Sequence, residues 1–116
     1  MICRLPAADR AVVDARKITD YLLSPSHPQG RTKRLFFESF GFHLDDWIVL
    51  HAALLQHGRL QPVGAEEETA FGYKYVIDGP LASPDGRNPG VRSVWFVEKG
   101  EDYPRFVTAY PGRFHP

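Results

Sequence analysis

Two groups of residues in this sequence have side chains suited to handling a phosphate. The first is His27, Arg31, Lys33 and Arg34, placed where a loop with two prolines meets the first turn of an expected helix. Free backbone N–H groups and the positive end of the helix dipole favour anions there. The second group is Lys74, Arg92, Arg105, Thr108 and Tyr110, spread over three expected strands with Tyr73, Tyr75 and Trp95 among them. Aromatic rings on such a sheet can stack on bases while guanidinium groups hold phosphates. Together these residue types suit RNA cleavage by attack of the 2′-hydroxyl, which needs a base, an acid and cations around the phosphorane but no metal or cofactor. In that scheme the catalytic residues are His27, Lys33, Arg92, Arg105 and Thr108, and the substrate contacts are Arg31, Lys74, Tyr75 and Tyr110.

Each group also has a plainer reading. The basic turn can simply be solvated, the Tyr and Trp stripe can be core, and strand arginines can pair with carboxylates such as Asp78 or Glu98. Side-chain parity adds a constraint, because Arg105 and Thr108 point to opposite faces of a regular strand unless a bulge lies between them.

The elements that must position these residues follow from hydrophobic period. Between Asp14 and Leu23, Ala15, Ile18, Tyr21 and Leu22 recur at helical steps, with Asp14 placed to cap. The Ser24–Gly30 stretch cannot continue that helix. A second helix is expected from Arg31 to Phe40, ending at Gly41, and a third from Asp45 and Asp46 through Trp47, Leu50 and Leu54 to a terminating Gly58. Beyond Arg59 the period becomes twofold. A weak strand is expected at Leu60–Glu67, a two-faced strand at Phe71–Asp78, a central strand at Val91–Glu98 and a last one at Arg105–Tyr110. Ser83-Pro-Asp-Gly86 and Gly100-Glu-Asp102 mark turns. The expected fold is α+β, with three N-terminal helices packed on one face of a C-terminal four-stranded antiparallel sheet and the other face left for function.

At 116 residues the chain suits one domain, spanning 1–116, and its composition is that of an ordinary globular protein. Fourteen basic residues balance fourteen acidic ones, which removes the general cationic surplus that drives nucleic-acid binding and makes any RNA contact local. Cys3 is the only cysteine, so neither an internal disulfide nor a multi-thiolate metal site is expected. His51 and His57, six apart, fall on roughly opposite faces of the third helix and are not expected to share a metal. No cofactor motif and no apolar stretch of membrane length occurs, and a cytoplasmic location is the expectation.

The ordered set Phe71-Gly-Tyr-Lys-Tyr-Val-Ile-Asp-Gly-Pro-Leu81, Pro84-Asp-Gly86, Val91-Arg-Ser-Val-Trp95 and Pro104-Arg-Phe-Val-Thr-Ala-Tyr-Pro111 resembles a small bacterial domain family of unknown function. Tyr21-Leu-Leu and Gly30-Arg-Thr-Lys33 extend the resemblance towards the start. It implies a helix-then-sheet domain sometimes found beside a small partner protein, toxin with antitoxin, or at the end of longer secreted toxins. The closing Val107-Thr-Ala-Tyr-Pro111 is more loosely similar to the last strand of ribonuclease toxins of the barnase, EndoU, colicin and RelE type. That similarity implies a Lys or His from the helical half, here Lys33 or His27, working with Arg92 or Arg105 and with Thr108 from the sheet. The other class of function in view is a non-enzymatic interaction module, such as an antitoxin, immunity or adaptor protein.

Overall fold

The computed structural model describes residues 3–28 and 30–112. Helix α1, Ala15–Lys17, opens at Asp14, whose carboxylate accepts the Arg16 N–H at 2.9 Å. It does not continue as one α-helix to Leu23. It passes into a π-helical turn, Ile18–Leu22, closed by the Leu23 N–H donating to the Ile18 carbonyl at 2.8 Å. Thr19 contributes to this change of pitch by donating its hydroxyl back to the Ala15 carbonyl, a contact that competes with the regular ladder. Helix α2 spans Arg31–Ser39 and is followed by Gly41 at φ 100°, the left-handed terminator expected from the sequence.

Helix α3, Trp47–Leu60, is preceded by a 3₁₀ turn, Leu44–Asp46, and the Asp46 side chain makes no capping bond. Gly58 does not end this helix. It faces Trp95 instead, and a Cβ added there would lie 2.5 Å from the indole Cζ2, so the residue is glycine because an aromatic ring occupies the space.

Strands β1 (Val63–Thr69), β2 (Gly72–Pro80), β3 (Gly90–Glu98) and β4 (Arg105–Pro111) form an antiparallel meander in sequence order. β1 begins later than expected, because α3 retains Leu60 and the Val63 N–H is taken by the Cys3 carbonyl. α3 lies against β2 and β3, whereas α2 packs on the π turn, which in turn packs on α3. The core gathers Leu50 and Leu54 of α3 with Ile77, Trp95 and Phe106 of the sheet and with Ile18, Leu22 and Phe37 of the preceding helices.

One polar node sits inside this core. His57, 2% exposed, donates from Nε2 to the Gly79 carbonyl at 3.0 Å and accepts at Nδ1 from the Ser93 hydroxyl at 2.8 Å. The Ser93 oxygen in turn accepts the Trp95 indole N–H at 2.8 Å, so the side-chain polar atoms of His57, Ser93 and Trp95 are all paired when the imidazole is neutral. Desolvation holds the His57 pKa below its ordinary 6.5.

The outer edge of β4 is not left open. Val12 forms a parallel bridge with Arg105, its N–H donating to the Pro104 carbonyl and its own carbonyl accepting from Phe106. This short contact anchors the chain just before α1 and brings the π turn beside β4.

Candidate functional site

The site begins with an irregularity in β4. Trp95 pairs with Phe106 and Val94 with Thr108, so Val107 is an extra residue, a β-bulge. Before it, Phe106 is buried against Trp95; after it, Ala109 is buried against Ser93. The bulge therefore resolves the parity conflict in the sequence. Arg105, Thr108 and Tyr110 share the face that also carries Lys74, Asp78 and Arg92 of the neighbouring strands.

Around the β4 edge, the π turn delivers Tyr21 to Thr108, their hydroxyl oxygens 3.4 Å apart. Lys33, in the first turn of α2, donates from Nζ to the Tyr21 oxygen at 2.6 Å. The same ammonium lies 4.9 Å from the Tyr21 ring centroid and 5.9 Å from that of Tyr110. This approach depends on Gly30, where a Cβ would stand 2.2 Å from the Tyr21 carbonyl oxygen. Only glycine lets the start of α2 press that closely on the π turn. Burial by itself would raise the Tyr21 pKa, but hydrogen bonds from Lys33 and Thr108 and the nearby charges of Lys33 and Lys17 outweigh it, leaving the phenol below its ordinary 10.0.

Tyr21 and Thr108 line a cleft of about 630 Å³, together with His27, Val107, Asp20 and the basic Arg16 and Lys17. The His27 ring meets Tyr21 edge-on at 5.1 Å. Its Nδ1 accepts the Gly30 N–H at 3.2 Å, which assigns the ring proton of the neutral imidazole to Nε2.

The remaining expected residues divide. Tyr110 is half-buried with its ring beneath Lys33, and it is the cross-strand partner of Arg92. Arg92 is clamped by both oxygens of Asp78, each at 2.8 Å, which raises its pKa further. Arg105 stands near the other end of β4, roughly 15 Å along the strand from Tyr110. There it pairs with Glu101 at 2.7 Å and with the Tyr103 hydroxyl at 2.8 Å, so the structure does not bring it to Lys33. Arg31 is exposed at the first position of α2, and Lys74 is half-buried opposite Phe96. Tyr75 is 8% exposed, on the helix-covered face with Trp95, and is core; it has no surface on which a base could stack. Arg34, the last of the basic turn, pairs with Glu38 at 2.9 Å.

What the arrangement can do follows from its polarity. A phenol whose pKa is lowered sits between an ammonium and a hydroxyl at the rim of a cleft, with a second cation, Arg92, beyond Tyr110. Such a set can accept a proton and stabilise a developing anion. Tyr21 is the member that residue types alone did not mark, because its place depends on a π turn and on the Gly30 contact. The faint signal was Tyr21-Leu-Leu ahead of Gly30-Arg-Thr-Lys33. Among the described residues no three His, Cys, Asp or Glu side chains gather as a metal site, and no helix is long and apolar enough to cross a membrane.

None of the curated proteins matches the chain. Among solved structures, a chain of the contact-dependent growth inhibition toxin–immunity protein complex from Klebsiella pneumoniae 342 superposes with a TM-score of 0.67, at 22% identity, over 87% of this chain and 99% of that one. At that identity the two share a fold. Residues 4–113 match DUF6883, a domain of unknown function, and the chain belongs to that family.

Proposed function

We propose that this domain is a metal-independent endoribonuclease of toxin type, and that the Lys33–Tyr21–Thr108 cluster is its catalytic centre. The observation that carries this reading is the 2.6 Å contact from the Lys33 ammonium to the Tyr21 phenol oxygen at the rim of the cleft. Tyr21 as phenolate takes the proton of a 2′-hydroxyl, and the 2′-oxygen then attacks phosphorus. As the bond from phosphorus to the 5′-oxygen breaks, Lys33 returns a proton to that oxygen, giving a 2′,3′-cyclic phosphate and a 5′-hydroxyl. Thr108 and Arg92 stabilise the charge on the phosphorane, and His27 and Val107 shape the side of the cleft that receives a base. Similarity in fold to a chain of a toxin–immunity complex supports a toxin-type setting.

The purified chain should cleave single-stranded RNA in the presence of EDTA and leave cyclic-phosphate ends. Uncut RNA, or cleavage that EDTA abolishes, would overturn the reading.

A second reading is an immunity-type or adaptor protein that only binds another protein. It is supported by the neutral net charge and by the pairing of Arg92 and Arg105, two of the expected phosphate contacts, with carboxylates.

A further inference from the structure

The solvent side of α3 is unusually apolar for a surface helix. Ile48 is 62% exposed, Leu60 56%, Val49 37% and Leu44, just ahead of the helix, 36%. Val49, Ala52, Leu55 and Leu60, with Gln56 and Arg59 among them, line an open groove of about 620 Å³ along it, and none of the catalytic cluster contributes to that groove. A largely apolar surface running along a helix marks an interaction surface.

The charges at its two ends identify the partner. Asp45 and Asp46 stand at the start of α3, and Arg59 and Arg4 at its end, where Arg59 donates to the Ala8 and Asp9 carbonyls and Arg4 to the Leu60 carbonyl. Among the described residues none of these four charges has an ion-pair partner. The surface is thus acidic at one end, apolar along its length and basic at the other. A twofold axis across it sets each acidic end against the other copy's basic end and opposes the two helix dipoles, whereas a parallel arrangement would set like against like.

We propose that α3 is a self-association surface on which a second copy of this chain packs antiparallel. A fourteen-residue helix offers only about 21 Å of length, so the interface is small and the dimer depends on concentration.

Light scattering over a concentration series should show the apparent mass rising from 13.1 kDa towards twice that value, and Ile48→Glu should hold it at the monomer value. Two charge-reversed chains make the test specific. Arg59→Glu with Arg4→Glu presents acid at both ends, and Asp45→Lys with Asp46→Lys presents base at both ends. Each alone should remain monomeric, and an equimolar mixture should recover the dimer mass, with far-UV circular dichroism confirming that both are folded. A wild-type mass constant at 13.1 kDa, a dimer that survives Ile48→Glu, or folded variants that do not pair on mixing would overturn the proposal, the first and last pointing to a different protein as the occupant of this face.

Discussion

Lys33 and Tyr21 are twelve residues apart in the chain and 2.6 Å apart in space. Lys33 is visible in the sequence as a cation in the first turn of a helix. Tyr21 looks like one more apolar member of an amphipathic stripe, because nothing in its spacing announces that the helix changes pitch at Ile18. Arg92 shows the opposite case: pairing with Asp78 was foreseeable from two oppositely charged residues on adjacent strands, and it is what forms. Tyr75 and Trp95 followed the plainer reading, in which large aromatics on the covered face are core. At this scale the account predicts that Tyr21→Phe lowers the cleavage rate roughly 10²- to 10⁴-fold. The wild-type rate should also climb with pH as the phenol ionises, beginning below the ordinary 10.0, and the variant should lose that climb. A pH–rate profile of the two proteins checks this; an unchanged profile in Tyr21→Phe would remove Tyr21 as the base.

At the level of elements, two local devices set the geometry, and neither is a matter of propensity. The extra residue Val107 lets Phe106 and Ala109 both face the core while Arg105 and Thr108 both face away from it, a result that a strict twofold pattern forbids. Deleting Val107 would restore regular register and turn Phe106 or its neighbours out of the core, at a cost on the order of 3–5 kcal/mol, the range for losing a buried aromatic. Gly58 is the second device. The sequence suggested a helix terminator, since glycine commonly stands just past a helix end, but the Trp95 ring is the reason for it. Gly58→Ala, which would raise helix propensity at an exposed position, should here destabilise by about 1–3 kcal/mol through overpacking. Urea unfolding of the variant checks this, and an unchanged midpoint would mean that the Trp95 ring does not require glycine there.

For the molecule as a whole, the helix-then-sheet order, the antiparallel meander and the turn at Ser83–Gly86 were legible from period and turn chemistry, since each depends on residues close in sequence. The stacking of α2 on the π turn and the burial of His57 were not, because they depend on which distant surfaces meet. His57 also couples stability to pH. Its folded pKa is depressed, so from the ordinary value of 6.5 downward the unfolded chain binds a proton that the folded chain resists. The stability that this group contributes is complete above 6.5 and declines as pH falls towards the folded pKa. The urea midpoint should fall between about pH 7.5 and about pH 5, and an NMR titration should find His57 protonating below 6.5; protonation above that value would contradict the node described. The neutral overall charge has its own consequence. With no net positive charge and only Lys33 and Arg92 as cations at the cluster, RNA affinity should fall only shallowly with salt, by a log–log slope of about −1 to −2, against steeper losses for strongly basic nucleic-acid-binding proteins.

The most direct test of the catalytic cluster is expression of the chain from a tightly repressed promoter in a bacterial host, beside Lys33→Ala and Arg105→Ala, with total RNA resolved on a gel. The account predicts growth arrest and fragmented RNA for the wild-type chain and for Arg105→Ala, whose side chain is engaged with Glu101 and the Tyr103 hydroxyl and not with Lys33, and healthy growth with intact RNA for Lys33→Ala. Arrest that persists in a stably folded Lys33→Ala, or intact RNA in all three, would contradict it.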